Sequence, residues 1–461
     1  MKESIFKVIE DQRSYFRTGQ TRSVTYRSSM LEKLKQSILK NEDEIAKALH
    51  LDLGKSESEV VSTEIGFTLN EINAVMKHLK RWSRKERVKT NLFNLPGKSY
   101  KVREPYGVTL IIGPWNYPFQ LVMSPLIGAI AGGNTAVVKP SEISEHTAKV
   151  IEKVLFEAFK EEYIAVVQGG VPETNELLEN RFDKIFFTGS TNVGSIIMQK
   201  AAKHLTPVVL ELGGKSPTII DKSANLDVAV NRIVFGKGTN AGQTCVAPDY
   251  VLVHEDIKDK FYDAYKKTVE DFYSGSVIEN SEFGKMINTR NYNRVKAYMN
   301  DGKIVYGGES DDENLKIALT LVEVTDLESS IMKEEIFGPV LPVVTYKSYE
   351  DILKVVRKNP DPLALYLFSE DKSFIEKIIH DIPFGGGCVN DTIMHLTNEH
   401  LPFGGRGPSG MGNYHGKHSF DAFTHEKSIL YATTKFDLKL KYPPFMRKNI
   451  GLVKKLMYGT K

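Results

Sequence analysis

The sequence predicts an α/β protein whose parallel sheets are covered by helices on both faces. Short apolar runs alternate with helical stretches from about Gly107, and a second series of this kind begins after Gly214. Buried apolar runs separated by helices are typical of parallel sheets. The residues before this region, by contrast, keep a helical spacing of apolar positions, as at Leu31, Leu34 and Ile38. They predict a layer of helices against a sheet.

The individual elements follow from these runs. The predicted strands of the first series are GVTLII (107–112), NTAVVKP (134–140), YIAVVQG (163–169), KIFFTGS (184–190) and PVVLELGG (207–214). The predicted helices between them are QLVMSPLIGAIA, the span 146–160, PETNELLEN and TNVGSIIMQKAAKHL. The predicted strands of the second series are DYVLVHE, KIVYGG, VLPVVTY and LALYLF. Ligands of parallel sheets bind beyond the carboxyl ends of the strands, where Gly, Pro and polar residues cluster in this sequence.

Two further segments, SYKVREPYG near residue 103 and SILYATTK near residue 430, predict exposed strands. Exposed strand edges accept another strand, so these segments are expected to pair with each other or with a second subunit.

Size and composition indicate a globular protein and argue against a membrane-spanning or nucleic-acid-binding one. A chain of 461 residues with 41% hydrophobic and 26% charged residues is expected to be globular, with two or three domains. No stretch reaches the roughly 18 apolar residues of a membrane-spanning helix, and the N-terminus lacks the apolar core of a signal peptide. Two cysteines cannot form a disulfide framework, which indicates a cytoplasmic protein. The net charge of +3 argues against a nucleic-acid partner.

The charge is unevenly distributed. Residues 435–461 hold eight Lys or Arg and one Asp, a net charge of +7 that leaves −4 for the rest of the chain. Such a tail, with apolar residues interspersed, is able to lie on an anionic membrane surface. A tail packed across a partner subunit explains the same composition.

Cys245 is the first candidate for chemistry. It ends the polar stretch FGKGTNAGQTC, whereas a structural cysteine normally lies within an apolar run. A glycine-rich loop with many backbone donors is able to favour the nucleophilic thiolate. Cys388, in FGGGCVN, has similar glycine neighbours, so this context alone leaves a catalytic or an incidental cysteine open.

Glu211 and Asn116 lie where predicted strands end. Glu211 follows the buried run PVVL, and a carboxylate in a partly apolar site can act as a general base near neutral pH. Asn116, in GPWNYPF, follows GVTLII and could donate a hydrogen bond to a developing oxyanion. A Glu that caps the following turn explains the first position as well, and asparagines in loops usually cap turns.

Two segments resemble cofactor sites. In FTGSTNVG, a strand leads through a glycine turn into a helix whose first amides could meet a phosphate. Gly189 and Gly194 do not form the GxGxxG fingerprint, so an ordinary glycine turn stays open. In KPSE, Lys139 and Glu142 offer a donor and an acceptor for ribose hydroxyls. The eleven His residues show no HxxxH-type pattern, so no metal is expected.

Taken together, the chain resembles the aldehyde dehydrogenase superfamily from about residue 20 to residue 430. The motifs that carry the resemblance are GPWNYPF, KPSE, FTGS, LELGGKSP, NAGQTC, EEIFGPV and LPFGGRGPSGMG, in that order. The resemblance implies the fold of that family, which is a Rossmann-like NAD(P)-binding domain, a second αβ catalytic domain and a small β oligomerisation element. The implied boundaries are 1–85 and 105–211 for the first domain, 212–415 for the catalytic domain, 86–104 and 416–436 for the bridging strands, and 437–461 for the basic tail.

The resemblance also implies the roles of individual residues. Cys245 would be the nucleophile, Glu211 the general base, and Asn116 with the Cys245 amide the oxyanion donors. NAD is the implied cofactor, with NADP as an alternative. The residues implied to bind it are Pro114, Trp115, Lys139, Glu142, Gly189, Ser190, Gly194, Leu212, Gly213, Glu335 and Phe337.

Within the superfamily, the two ends of the chain look most like the class 3 branch. That branch implies a homodimer that oxidises medium-chain, fatty or aromatic aldehydes to acids. One rival is a relative that transfers the acyl group to coenzyme A, although such relatives usually lack the base that Glu211 would provide. The other rival is a non-catalytic protein that keeps the fold.

Overall fold

A computed structural model describes residues 4–437 and 439–458. The strands run as follows: β1 (Glu86–Val88), β2 (Lys98–Pro105), β3 (Val108–Ile112), β4 (Thr135–Lys139), β5 (Ile164–Val166), β6 (Lys184–Thr188), β7 (Val208–Glu211), β8 (Pro217–Ile220), β9 (Tyr250–His254), β10 (Lys303–Tyr306), β11 (Ser310–Asp311), β12 (Lys316–Ile317), β13 (Thr320–Glu323), β14 (Val340–Tyr346), β15 (Ala364–Phe368), β16 (Gly386–Val389), β17 (Gly410–Met411) and β18 (Thr424–Tyr431).

The α-helices run as follows: α1 (Ile5–Arg17), α2 (Val24–Lys40), α3 (Glu42–Leu53), α4 (Glu57–Val60), α5 (Gly66–Trp82), α6 (Gln120–Gly132), α7 (Glu145–Ala158), α8 (Val171–Glu179), α9 (Thr191–Ala202), α10 (Leu226–Gly238), α11 (Lys258–Tyr273), α12 (Thr289–Ala297), α13 (Ser330–Lys333), α14 (Tyr349–Val356), α15 (Lys372–Asp381), α16 (Lys417–Ala422), α17 (Phe445–Lys448) and α18 (Ile450–Tyr458). The α/β fold class predicted from the sequence is confirmed, as are the predicted strands of both series.

The first large sheet has the strand order β17-β7-β6-β3-β4-β5. From β3 the chain proceeds outward through β4 to β5 and then returns to the other side of β3 with β6 and β7, all of them parallel. The point between β3 and β6 is therefore a topological switch point, where a crevice opens beyond the strand ends. GPWN follows β3 and the glycine turn follows β6, so both motifs lie at this crevice.

A short strand from the distant end of the chain completes this sheet. β17 pairs antiparallel with β7, so that Gly410 lies opposite Glu211. Gly410 has a φ of +150°, and a Cβ there would lie 2.4 Å from the carbonyl oxygen of Leu210. Only glycine allows this close approach of two backbones. The sequence did not predict this strand, because two residues carry no periodic pattern.

The second large sheet has the order β10-β13-β14-β9-β8-β15-β16, in which only β10 pairs antiparallel. A third sheet, of order β1-β2-β18, joins the two exposed segments, which confirms that they pair with each other. By its contacts the chain forms two compact units, residues 1–82 with 104–425, and residues 83–103 with 426–461. The finer division into a cofactor domain and a catalytic domain stays a prediction.

Helix α6 forms much of the core beneath the first sheet, and every one of its residues is buried. A helix that is apolar on all sides is typical of such an interior position. The backbone N–H of Gln120, at its start, donates to the carboxylate of Glu64 at 2.8 Å. Glu64 also receives the Lys55 ammonium at 2.5 Å, and both side chains are fully buried. This ion pair therefore anchors the beginning of α6.

We expect Lys55→Met to lower the free energy of unfolding by about 3–5 kcal/mol, because it leaves the Glu64 carboxylate buried without its counter-ion. The double variant Lys55→Met/Glu64→Gln removes both charges and should lose less. Urea unfolding followed by circular dichroism measures both. Equal stability of the single variant and the unmodified protein would contradict the structural role of the pair.

Candidate active site

The loop that leads to Cys245 has an unusual backbone. Asn240, Ala241 and Gly242 follow one another with φ values of 52°, 50° and 73°. Non-glycine residues avoid this left-handed region, so surrounding contacts must hold the turn in place. At Gly242 a Cβ would lie 2.3 Å from the carbonyl oxygen of Gly338, so glycine is required there. The turn carries the chain from helix α10 to Cys245.

Gln243 holds this loop through its side chain, which is fully buried. Its Nε2 donates to the carbonyl oxygens of Asn240 at 3.1 Å and Lys285 at 3.0 Å. Its Oε1 accepts the N–H of Ile287 at 3.0 Å. With every polar atom of its amide bonded, Gln243 has a positioning role two residues before the cysteine.

Asn116 is bonded to the same loop. Its Nδ2 donates to the carbonyl oxygen of Gln243 at 2.9 Å, and its own carbonyl oxygen accepts from Asn240 Nδ2 at 2.7 Å. The structure thus brings Asn116 to the Cys245 loop, although 127 positions separate Asn116 from Gln243. A carboxamide nitrogen has two N–H donors, so the bond to Gln243 leaves one for a ligand.

Glu211 ends strand β7 and is only 2% exposed. Neither of its carboxylate oxygens has a hydrogen-bond partner among the described residues. Burial therefore raises the pKa of Glu211 well above its ordinary value of 4.5. A buried carboxylate without partners is costly in a purely structural role, and it is a strong base once it is ionised.

Burial also raises the pKa of the Cys245 thiol, and the nearby charges of Glu335 and Glu211 raise it further. The backbone N–H groups of Cys245 and Val246 lower this pKa but do not outweigh the burial. The backbone donors of the loop therefore act toward the thiolate, as expected, but burial outweighs them in the protein without ligands. Glu335 and Glu211 are close enough to Cys245 to interact with its charge.

A cavity of about 610 Å³ reaches Cys245. Its volume lies in the range of small-molecule sites, and most of its wall is apolar or aromatic. The aromatic residues of the wall are Phe67, Tyr117, Phe235, Phe272, Tyr273, Phe403, Tyr414 and His415. The polar residues of the wall include Ser56, Ser58, Glu59, Ser62, Thr63 and Glu282.

On the strand side of the crevice, Lys139 ends β4 and is almost fully buried. Its Nζ donates to Glu142 at 3.0 Å and to the carbonyl oxygen of Pro140 at 2.9 Å. The Glu142 side chain is 46% exposed, so its carboxylate can meet a ligand from solvent. A donor and an acceptor thus lie side by side, as the sequence predicted.

The glycine turn after β6 leads directly into helix α9. Ser190 caps the helix by accepting the N–H of Val193, and the residues of its first turn are exposed. Exposed amides at a helix N-terminus favour an anionic group. Gly194 also packs closely, because a Cβ there would lie 2.5 Å from the Leu212 side chain; its predicted contact with the cofactor stays a prediction. Gly194 therefore lets the helix lie close to the strand end.

In a comparison with known proteins, the model of the aldehyde dehydrogenase family matches residues 1–429. The chain belongs to the aldehyde dehydrogenase family. The 4,4'-diaponeurosporen-aldehyde dehydrogenase of Staphylococcus aureus is 49% identical over 440 residues, which cover 95% of this chain and 96% of that protein. The dimeric NADP-preferring aldehyde dehydrogenase of Canis lupus familiaris is 42% identical over 446 residues, which cover 96% and 98%. The solved structure of substrate-bound Staphylococcus aureus AldH superposes with a TM-score of 0.97 at 47% identity and covers 99% of this chain and 100% of that one.

Family membership makes the reaction an oxidation of aldehydes to acids with a nicotinamide cofactor, in agreement with the prediction from the sequence. The crevice suits such a cofactor, since it offers the Lys139–Glu142 pair and the exposed start of α9. It also contains polar atoms that are buried without a hydrogen-bond partner among the described residues, namely Thr188 Oγ1 and Glu335 Oε1.

Glu335 and Phe337 are the residues predicted to contact the nicotinamide end of the cofactor, and they lie near Gly213 and Trp115. A Cβ at Gly213 would lie 2.0 Å from Glu335 Oε2, so the backbone of Gly213 passes close to this carboxylate. Burial raises the pKa of Glu335 to about 8. Phe337 has a φ of 52°, and its ring meets Trp115 edge-on, with 5.2 Å between the ring centroids. Pro114 precedes Trp115 in the loop after β3.

Lys237 is a candidate functional residue that was not predicted from the sequence. It is fully buried in α10, and its Nζ has no hydrogen-bond partner in the described part of the chain. Burial lowers the pKa of Lys237 to about 8, although the charges of Asp249 and Glu335 oppose this shift. The glycines on either side of it in FGKG could have indicated this lysine, since Gly236 and Gly238 mark close packing around it.

Within residues 4–437 and 439–458, no three His, Cys, Asp or Glu side chains are arranged to hold a metal ion. Over the same residues, none of the helices has both the length and the apolar character needed to cross a membrane.

The raised pKa of Glu211 predicts a dependence of stability on pH. The folded protein keeps a proton on Glu211 that the unfolded chain releases, so the free energy of unfolding falls as the pH rises above about 4.5. Glu211→Gln cannot lose a proton. The quantity to compare is the thermal midpoint of Glu211→Gln minus that of the unmodified protein. We expect this difference to be larger at about pH 8 than at about pH 5. Glu176→Gln, at an exposed position of α8, is the matched control. The same difference at both pH values would contradict the burial of an uncompensated carboxyl group.

Proposed function

We propose that this aldehyde dehydrogenase uses Cys245 as its nucleophile, Glu211 as its general base and Asn116 as an oxyanion donor. The observation that carries the proposal is the apolar cavity that reaches Cys245 close to a buried carboxylate without partners. The second cysteine, Cys388, lies on strand β16 and does not line this cavity.

The proposed substrates are medium-chain or long-chain aliphatic aldehydes and aromatic aldehydes. An apolar wall favours an apolar substrate, because water leaves both surfaces when the substrate binds. Flat rings such as Phe67, Phe403 and Tyr414 suit an alkyl chain or another ring. Polar groups form the smaller part of the wall, so it suits an apolar substrate better than a sugar or an amino acid.

In the proposed mechanism, the Cys245 thiol first loses its proton to solvent. The thiolate Sγ then forms a bond with the aldehyde carbon, and the carbonyl oxygen becomes an oxyanion. The free N–H of Asn116 Nδ2 and the backbone N–H of Cys245 donate to this oxygen, and each such donor typically contributes about 3–4 kcal/mol. A nicotinamide cofactor held in this crevice would supply the acceptor for the hydride of the former aldehyde carbon. Glu211 then takes a proton from a water molecule that attacks the thioester, which releases the acid and restores the thiolate.

The cofactor is proposed to be NAD, with NADP also accepted. The Glu142 carboxylate accepts hydrogen bonds from ribose hydroxyls and would repel a 2′-phosphate, whereas Lys139 would attract one. Gly189 and Ser190 would meet the pyrophosphate at the start of α9. Leu212 and Gly213 would lie beneath the nicotinamide with Glu335.

We expect Cys245→Ser to lose nearly all aldehyde oxidation. Glu211→Gln should still form the thioester but hydrolyse it slowly, so that one equivalent of NADH per active site appears as a burst before slow turnover. Absorbance of NADH in a stopped-flow instrument measures both. Cys388→Ser is the matched control and should keep its activity. If NADH formation depends on added coenzyme A, then coenzyme A and not water accepts the acyl group. No turnover of any aldehyde by the unmodified protein would favour a non-catalytic role.

We propose further that the protein is a cytoplasmic homodimer. Strand β18 lies at an edge of the three-stranded sheet, and an exposed edge can pair with another chain. The relative from Canis lupus familiaris is itself named dimeric.

A peripheral contact with an anionic membrane is also proposed for the smaller unit. Residues 83–103 hold seven Lys or Arg and one Glu, and residues 426–461 hold nine Lys or Arg and two acidic residues. Apolar side chains stand exposed among these charges: Leu92, Leu95, Phe436, Phe445, Ile450, Leu452, Met457 and Tyr458. Basic and apolar residues together are typical of surfaces that bind at a lipid interface. The final residues of the predicted tail, 459–461, lie outside the described residues.

The tail variant Lys439→Gln/Lys441→Gln/Arg447→Gln/Lys448→Gln should bind phosphatidylglycerol vesicles about a hundredfold more weakly or worse, since each basic residue contributes about 1 kcal/mol. Vesicle sedimentation measures the binding. Phosphatidylcholine vesicles, which carry no anionic lipid, measure the binding that does not depend on negative charge. A quadruple Lys→Gln variant at Lys33, Lys47, Lys77 and Lys80, all exposed, is the matched control. Equal binding by the two variants would rule out the tail as the site of contact.

A further inference from the structure

Glu59 makes a long-range contact with the loop of the proposed nucleophile. It lies in the short helix α4, and its Oε1 accepts the backbone N–H of Asn240 at 2.5 Å, across 181 positions of sequence. Asn240 is the first of the three left-handed residues before Cys245. The bond therefore acts on the strained part of this loop, where the backbone is not stable by itself.

Asn240 in turn connects the remaining parts of the site. Its Nδ2 donates to the carbonyl oxygens of Asn116 at 2.7 Å and Gln243 at 3.1 Å. A displacement of Asn240 would move both the oxyanion donor and the residue two positions before Cys245. Of the bonds that hold this turn, the one to Glu59 links it to a helix 181 positions away in the sequence.

The surroundings of Glu59 combine charge and burial. Burial raises the pKa of Glu59, while Lys55 and the N–H of Asn240 oppose this shift. Glu64 and Glu282 raise it slightly, and Tyr117 and Tyr273 also interact with the Glu59 charge. Glu59 itself lines the substrate cavity, so one carboxylate touches both the cavity and the nucleophile loop.

We propose that Glu59 is a positioning residue that acts through Asn240 to hold the loop of Cys245 in its reactive geometry. This inference rests on the proposed role of Cys245. The length of the side chain and its acceptor oxygen are what the role requires. A residue that only shapes the cavity would instead affect substrate binding.

The test compares Glu59→Gln with Glu59→Asp. Gln keeps an oxygen at the same reach, so kcat should stay within about twofold of the unmodified enzyme. Asp keeps the charge but is one methylene shorter, so kcat should fall about tenfold to a hundredfold with a smaller change in KM, as for a misplaced catalytic group. Glu57→Asp, an exposed position of the same helix, is the matched control and should change neither constant.

A second readout does not depend on turnover. The rate at which iodoacetamide alkylates Cys245 in the cofactor-free protein, measured by mass spectrometry, should change in Glu59→Asp and not in Glu59→Gln. If Glu59→Asp does not fold, Glu59→Ala replaces it as the variant without the bond, and the same results are expected.

Three outcomes would overturn the proposal: an unchanged kcat in Glu59→Asp, a kcat in Glu59→Gln as low as in Glu59→Asp, or a change confined to KM. The variant Cys245→Ser separates this inference from the proposed function. If Cys245→Ser keeps its turnover, the proposed function fails. If Cys245→Ser is inactive while Glu59→Asp retains full activity, only the role of Glu59 fails.

Discussion

The hydrogen bonds around Asn240 keep three successive residues in left-handed conformations, and the geometry of the active site depends on them. Gln243 and Asn116 bond to each other and to Asn240, so the oxyanion donor and the nucleophile loop form one network. Neither residue could move alone without breaking a buried bond, which costs about 1–3 kcal/mol for each unsatisfied group. Site geometry is thus set by buried amides more than by the regular elements on either side.

Burial explains the electrostatics of the same site. It raises the pKa of Cys245, Glu211 and Glu335 and lowers that of Lys237, so each group is shifted toward its neutral form. An apolar aldehyde therefore meets a weakly charged site, which suits the apolar cavity. A dry interior also strengthens every interaction with the charge that develops during the reaction. One property of the environment thus supports both substrate binding and catalysis.

The sequence predicted those parts of the fold that depend on local pattern. Apolar runs predicted the strands β3, β4, β6 and β7. The polar residues at or just after the ends of these strands, Lys139, Asn116 and Glu211, were predicted as site residues. Contacts between distant residues left no such pattern: the pairing of β17 with β7, the bond from Glu59 to Asn240 and the ion pair of Lys55 with Glu64. The raised thiol pKa was missed for the same reason, since the burial that mainly causes it and the carboxylates that add to it come from other segments of the chain.

The two cysteines illustrate what the structure adds to sequence context. Both follow glycine-rich segments, and from the sequence each was compatible with an incidental role. Cys388 lies in a strand next to Tyr366, and its sulfur is 3.6 Å from His395 Nδ1, but Cys388 itself does not line the cavity. Cys245 lines the cavity and interacts with two buried carboxylates. Access to substrate and a nearby base, more than the character of the loop, therefore distinguish the proposed nucleophile from a cysteine of similar sequence surroundings.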